Sequence, residues 1–192
     1  AREHRAHAAT RAGIAFANAF LGIDHSTGHK LGAYHHLPHG VCVSLMLDEV
    51  RKFNAAEVPS KMGTFPQYKY PHTLRRYAEI AEFLGITGKD DQTKFDKLIA
   101  KTDELKTTIE LPRTIQEAGI DEKAFLSTLD ERSVAAFNDQ CTGTNPRYPL
   151  IEEIKELYNS FLISPNSELA KSLLHTKFID KSASLGNNPA RK

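Results

Sequence analysis

Apolar residues recur at helical spacing in one segment after another of this 192-residue chain, and no stretch alternates in the way a half-buried strand would. Residues 2–21 read as one Ala-rich helix with small residues along one side, which predicts a close neighbour, and Gly22 ends or bends it. A second helical stretch covers about 25–34. Leu37-Pro38-His39-Gly40 reads as a loop, because Pro38 restricts Leu37 and Gly40 frees the backbone. An apolar helix follows from Val41 to about Asn54. After looser punctuation at Pro59, Gly63, Pro66 and Pro71, the periodicity returns at Leu74, Tyr77, Ala78, Ala81 and Leu84 and closes at Gly85. Further helices are predicted over 90–108, 114–118 (stopping at Gly119), 122–129 with Asp121 as N-cap, around Val134 and Phe137, and over 150–162. The expected fold is all-α: a single helical-bundle domain over residues 1–162, then a polar, basic tail over 163–192 that is expected to be partly disordered.

Length supports one substantial core rather than two. Lys plus Arg number 25 and Asp plus Glu 24, a formal charge of +1. That balance supplies no field for nucleic acid or an anionic membrane, so neither is expected as a partner. Cys42 and Cys141 form no framework or metal-type pair, which points to a reducing, cytoplasmic setting. The basic start followed by Ala12–Leu21 has the outline of a signal peptide. Glu3 and Asn18 interrupt that outline and favour a buried helix, and the stretch is shorter than the roughly 20 apolar residues that span a bilayer. A start inside a helix suggests a preceding segment.

Histidine is the unusual residue. Seven of the nine lie within residues 1–39: His4, His7, His25, His29, His35, His36 and His39. His25 and His29 are four apart, so a helix puts both rings on one face, one turn apart, where neutral imidazoles can share a cation. His39 follows in the Pro-Gly loop and can swing back towards them. The residues leave two readings open at this point: a cation site, or three exposed or hydrogen-bonded histidines without a metal.

The strings that carry these residues are Gly22-Ile23-Asp24-His25-Ser26-Thr27-Gly28-His29-Lys30-Leu31-Gly32 and His36-Leu37-Pro38-His39-Gly40. Together they resemble the signature of iron-containing alcohol dehydrogenases, G-x-x-H-x-x-x-H-x-L-G followed after a short spacer by P-H-G. Ala12–Gly22, Arg75–Ala81 and Asp139–Leu150 resemble the alcohol dehydrogenase part of bifunctional aldehyde–alcohol dehydrogenases. The resemblance covers about residues 1–162 and implies the helical C-terminal domain of that fold. It implies His25 and His39 as ligands of a divalent iron, with His29 beside the metal near substrate or in proton transfer. His35 and His36 are expected at the surface or in support of the ligands, and His4 and His7 on the surface. Arg11 and Asp24 depart from the family pattern; Asp24 is expected to be solvated.

The same resemblance implies NAD(H) bound mainly by an N-terminal half that would precede this sequence, together with an Asp and a further His ligand. No Gly-rich dinucleotide fingerprint occurs here. The implied activity is hydride transfer between nicotinamide and a small alcohol or aldehyde, the cation polarising the substrate oxygen, and this fragment alone is expected to be inactive. Iron is implied by the family, since zinc binds such groups more tightly and could substitute. The alternative reading is a helical assembly module, because bifunctional relatives form homo-oligomers that extend into filaments.

Overall fold

The computed structural model describes residues 1–56 and 72–162. Among these residues the secondary structure is helical throughout, with no strand. The helices are α1 (Arg2–Ala19), α2 (Ile23–His35), α3 (His39–Ala55), α4 (Thr73–Phe83), α5 (Asp91–Thr108), α6 (Glu122–Ser127), α7 (Leu129–Phe137) and α8 (Ile151–Asn159), with a 3-10 turn at Thr142–Thr144. The all-α expectation holds. The tail expected after residue 162, and the prolines at 59, 66 and 71, lie outside the described residues.

Helix ends follow local chemistry. The Asp90 carboxylate accepts from Thr93 N–H at 2.7 Å to start α5, and Asp121 accepts from Ala124 N–H at 2.9 Å to start α6. Gly85, at φ 77°, closes α4: its own N–H donates to the Glu82 carbonyl and Ile86 N–H donates to that of Ala81, both at 2.9 Å. Gly119, at φ 82°, makes the same closure, although the 114–118 stretch before it is a turn rather than the predicted helix. The expected helix over 122–129 ends at Ser127, and α7 begins two residues later.

The core is built where α2 packs on α3 and α7, and α7 on α8. Ile23, Leu31, Met46, Ile115, Phe125, Ile154 and Tyr158 are fully buried there. Each such aliphatic or aromatic side chain stabilises the fold by about 1.5–3 kcal/mol relative to exposure. Helices α4 and α5 pair beside this core, with Tyr77 stacked on Phe95 at 5.3 Å between ring centroids.

Helix α1 departs from expectation. It buries no residue, Ile14 and Phe16 are exposed, and a methyl group at Gly13 would meet nothing within 4 Å. Neither the close neighbour nor the buried helix predicted for this segment exists among the described residues. Helical propensity from alanine forms the helix without requiring a face to bury. His4 and His7 are exposed on it, as expected.

Candidate metal centre

The turn between α2 and α3 decides the geometry. His36 adopts a left-handed conformation, φ 57°, and its N–H caps the Gly32 carbonyl at 2.8 Å. Leu37 and Pro38 follow, and α3 starts at His39 with Pro38 as N-cap, so His39 stands on the first turn of a helix rather than in a loop. The glycine that makes this reversal tight is not Gly40, which has open space around it and no positive φ. It is Gly28, where an added Cβ would lie 3.0 Å from Val43 Cγ1 and 3.4 Å from the Val43 amide nitrogen. Gly32 faces Cys42 Sγ and the Leu37 carbonyl, each 3.3 Å from its added Cβ. Two glycines one turn apart thus give α2 a flat side on which α3 lies.

This close packing gathers three imidazoles. Ring centroids are 5.4 Å apart for His25 and His39, 5.4 Å for His29 and His39, and 5.6 Å for His25 and His29. A nitrogen about 2.1 Å from a divalent ion puts the ring centroid about 3.2 Å from it, so two rings at a tetrahedral angle have centroids about 5.3 Å apart. The His25–His39 spacing matches that figure. Burial, with His29 and His39 close by, holds His25 below the usual histidine range, which keeps it in the neutral form that ligates a cation.

Asp24 is not solvated. Its Oδ1 is buried without a hydrogen-bond partner among the described residues, and burial pushes the carboxyl up to about 7 despite Arg51 and Lys106 nearby. Asp48 lies close and takes both cations as its own partners, Lys106 Nζ at 2.7 Å and Arg51 Nη1 at 3.5 Å. His35 lies against Arg132 and Phe125.

Residues from far along the chain complete the surroundings. Asp139 accepts from Lys30 Nζ at 2.8 Å and from the Cys141 N–H at 2.9 Å. A nitrogen of His29, a carboxylate oxygen of Asp139 and Cys141 Sγ lie within 4.8 Å of one another. The sequence contained a signal for these two residues, since both belong to the Asp139–Leu150 string, but nothing in their spacing tied them to His29.

The rest of that string fastens α2. Asn145 Oδ1 accepts from Ile23 N–H at 3.2 Å and would lie 2.6 Å from a Cβ at Gly22, so Gly22 makes room for the clamp. Asn145 Nδ2 donates to Asn54 Oδ1 and to the Arg147 carbonyl, both at 2.6 Å. Arg147 lies 3.8 Å over the Phe53 ring and pairs with Glu153. Thr142 Oγ1 lies 2.7 Å from Ser26 Oγ, and Tyr158 donates to the Thr27 carbonyl at 2.9 Å. The helix that carries two of the three histidines is therefore held near its N-terminus by the turn at 142–145 and by α8. No described helix is long and apolar enough to cross a membrane.

Residues 1–162 match the family model for the Fe-containing alcohol dehydrogenase family, C-terminal. A second model, iron hydrogenase small subunit, matches residues 152–181, a minor part of the chain. The chain is 50% identical over 166 residues to an aldehyde-alcohol dehydrogenase of Clostridium acetobutylicum, covering 86% of this chain and 19% of that protein. It is 50% identical over 159 residues to the bifunctional aldehyde-alcohol dehydrogenase AdhE of Escherichia coli, covering 82% and 18%. It therefore spans under a fifth of the length of these relatives. Among solved structures, an iron-containing alcohol dehydrogenase from Thermococcus thioreducens superposes with a TM-score of 0.63 at 35% identity, covering 80% of this chain and 35% of that one.

Proposed function

The chain belongs to the Fe-containing alcohol dehydrogenase family, and from that premise we propose that it is the C-terminal part of an iron-dependent, nicotinamide-linked alcohol dehydrogenase. The reaction we assign to the longer enzyme is interconversion of small aldehydes and alcohols, such as acetaldehyde and ethanol in fermentation. The observation that carries the proposal is the 5.4 Å spacing of the His25 and His39 rings, both of them residues of the family's signature.

In this reading His25 and His39 hold a ferrous ion through neutral nitrogens, and zinc would occupy the same imidazoles. The ion, when bound, supplies Lewis acidity towards the oxygen of the alcohol or aldehyde. His29, partly exposed one turn beyond His25, takes up the alcohol proton and passes it to water. Two imidazoles are fewer than the three or more protein ligands typical of a catalytic site. The remaining ligands and the NAD(H) site are assigned to the longer protein, and the 192 residues alone are expected to be inactive. We place the enzyme in the cytoplasm as a homo-oligomer.

The test is metal analysis with kinetics on the full-length enzyme. His25→Ala and His39→Ala are expected to lose iron and activity together; full iron retention with full turnover in either would discard the ligand assignment. His29→Ala is expected to keep iron and turn over more slowly with an altered pH profile. An unchanged rate at every pH would remove its role as proton carrier.

A further inference from the structure

His29 belongs to two groupings at once. On one side it closes the triangle with His25 and His39; on the other it meets Asp139 and Cys141, with one donor atom from each of the three residues within 4.8 Å of the others. The second grouping is held in place. Lys30, the neighbour of His29 on α2, pins Asp139 Oδ2 at 2.8 Å, and the Cys141 N–H pins Oδ1 at 2.9 Å. Each carboxylate oxygen keeps a further lone pair. Cys141 is 2% exposed and outside any disulfide, so its thiol is free to ligate.

One imidazole, one carboxylate and one thiol form the donor set of a borderline-soft cation. Thiolate selects zinc-class ions over magnesium or calcium, whereas the His25–His39 pair offers nitrogen alone. We propose that His29, Asp139 and Cys141 form a thiolate-containing site for a zinc-class divalent cation, separate from the His25–His39 pair and drawing on the His29 that stands beside it. Donor atoms on a tetrahedral zinc are about 3.3–3.8 Å apart, so a contraction of about 1 Å from the present limit closes the site. Burial and the Asp139 carboxylate push the Cys141 thiol up to about 11, so it carries its proton in the metal-free chain. On coordination the S–H bond breaks, the sulfur–metal bond forms and the proton passes to water.

Binding at this site does not depend on the dehydrogenase reading; only its consequence does. Occupancy withdraws His29 from proton transfer, so filling this site would slow the enzyme even with iron in place.

Cobalt(II) titration of the reduced 192-residue chain, without oxygen, tests the site directly. Thiolate ligation produces a near-ultraviolet sulfur-to-cobalt charge-transfer band that purely imidazole ligation lacks. We expect the band to saturate at one equivalent, to vanish in Cys141→Ser and His29→Ala, and to need at least tenfold more cobalt in Asp139→Ala. His25→Ala and His39→Ala are expected to leave it intact, which also separates this result from any failure of the iron-ligand assignment. Absence of the band in a chain whose two thiols titrate as free would overturn the site. So would its survival in Cys141→Ser, or its loss in both His25→Ala and His39→Ala. Because Cys141→Ser could disturb packing, Asp139→Ala is the independent variant: an unchanged cobalt affinity there overturns the proposal as well.

Discussion

Arg132, with no exposed surface, lies with Nη1 2.7 Å from Nε2 of His35. A guanidinium only donates, so His35 must be neutral with Nε2 as acceptor. Burial, Arg132 and His36 all hold His35 below the usual histidine value. A base whose folded pKa is depressed contributes stability that is full above the unfolded value of about 6.5 and is lost as pH falls through the folded one. The chain should therefore lose stability on acidification below about pH 6.5. His35→Gln, which keeps an acceptor but does not titrate, should flatten that limb relative to wild type in urea denaturation across pH 5–8. Parallel curves for the two proteins would contradict the pairing.

Among the described residues the same arginine has no carboxylate partner. Its guanidinium is sandwiched between the rings of Phe125 at 4.1 Å and Tyr158 at 4.5 Å, and its Nε and Nη2 are buried without partners. Arg132→Ala removes the filling between two rings and should cost about 3 kcal/mol in a denaturation experiment. Arg132→Met keeps most of the volume and relieves a buried charge, so it should cost less than half as much. A methionine variant as unstable as the alanine one would show that the charge, not the volume, stabilises this core.

Gly28 leaves room for Val43 of α3 to lie directly against α2, and this packing positions His39 against His25 and His29. Gly28→Ala should destabilise the chain by about 1–3 kcal/mol through overpacking against Val43. Gly13→Ala lies in open space within α1 and should instead stabilise that helix by up to about 1 kcal/mol. Thermal denaturation of the two variants should shift in opposite directions; a Gly28→Ala protein as stable as wild type would mean that α3 is not held against the glycine face.

Asp24 is a buried carboxyl raised to about 7, burial outweighing Arg51 and Lys106. An acid with a raised folded pKa contributes stability that is full below the unfolded value and lost as pH rises through the folded one. Asp24→Asn removes the ionisation and should stabilise the metal-free chain at pH 8 by on the order of a few kcal/mol, and by roughly a third as much at pH 5. Equal gains at both pH values would place the effect in packing rather than charge.

Helices, their caps and the one-turn pairing of His25 with His29 were legible from the sequence because each depends on residues one to four positions apart. Asp90 and Asp121 stand at helix starts, Gly85 and Gly119 close a helix and a turn, and the family signature runs through α2 into α3. These are local rules of hydrogen bonding and periodicity, and the surrounding fold leaves them unchanged.

The packing decided the rest. Lys30 and Asp139 are 109 residues apart, Ile23 and Asn145 122 apart, and His35 and Arg132 97 apart. No spacing rule connects such pairs; they meet because α2 packs on α7 and its N-terminus is clamped by the turn before α8. The same cause buried Asp24, which a polar side chain beside a histidine gave no reason to expect. It also left α1 bare, because an alanine-rich helix forms from its own backbone bonds and acquires a buried face only where another element supplies one.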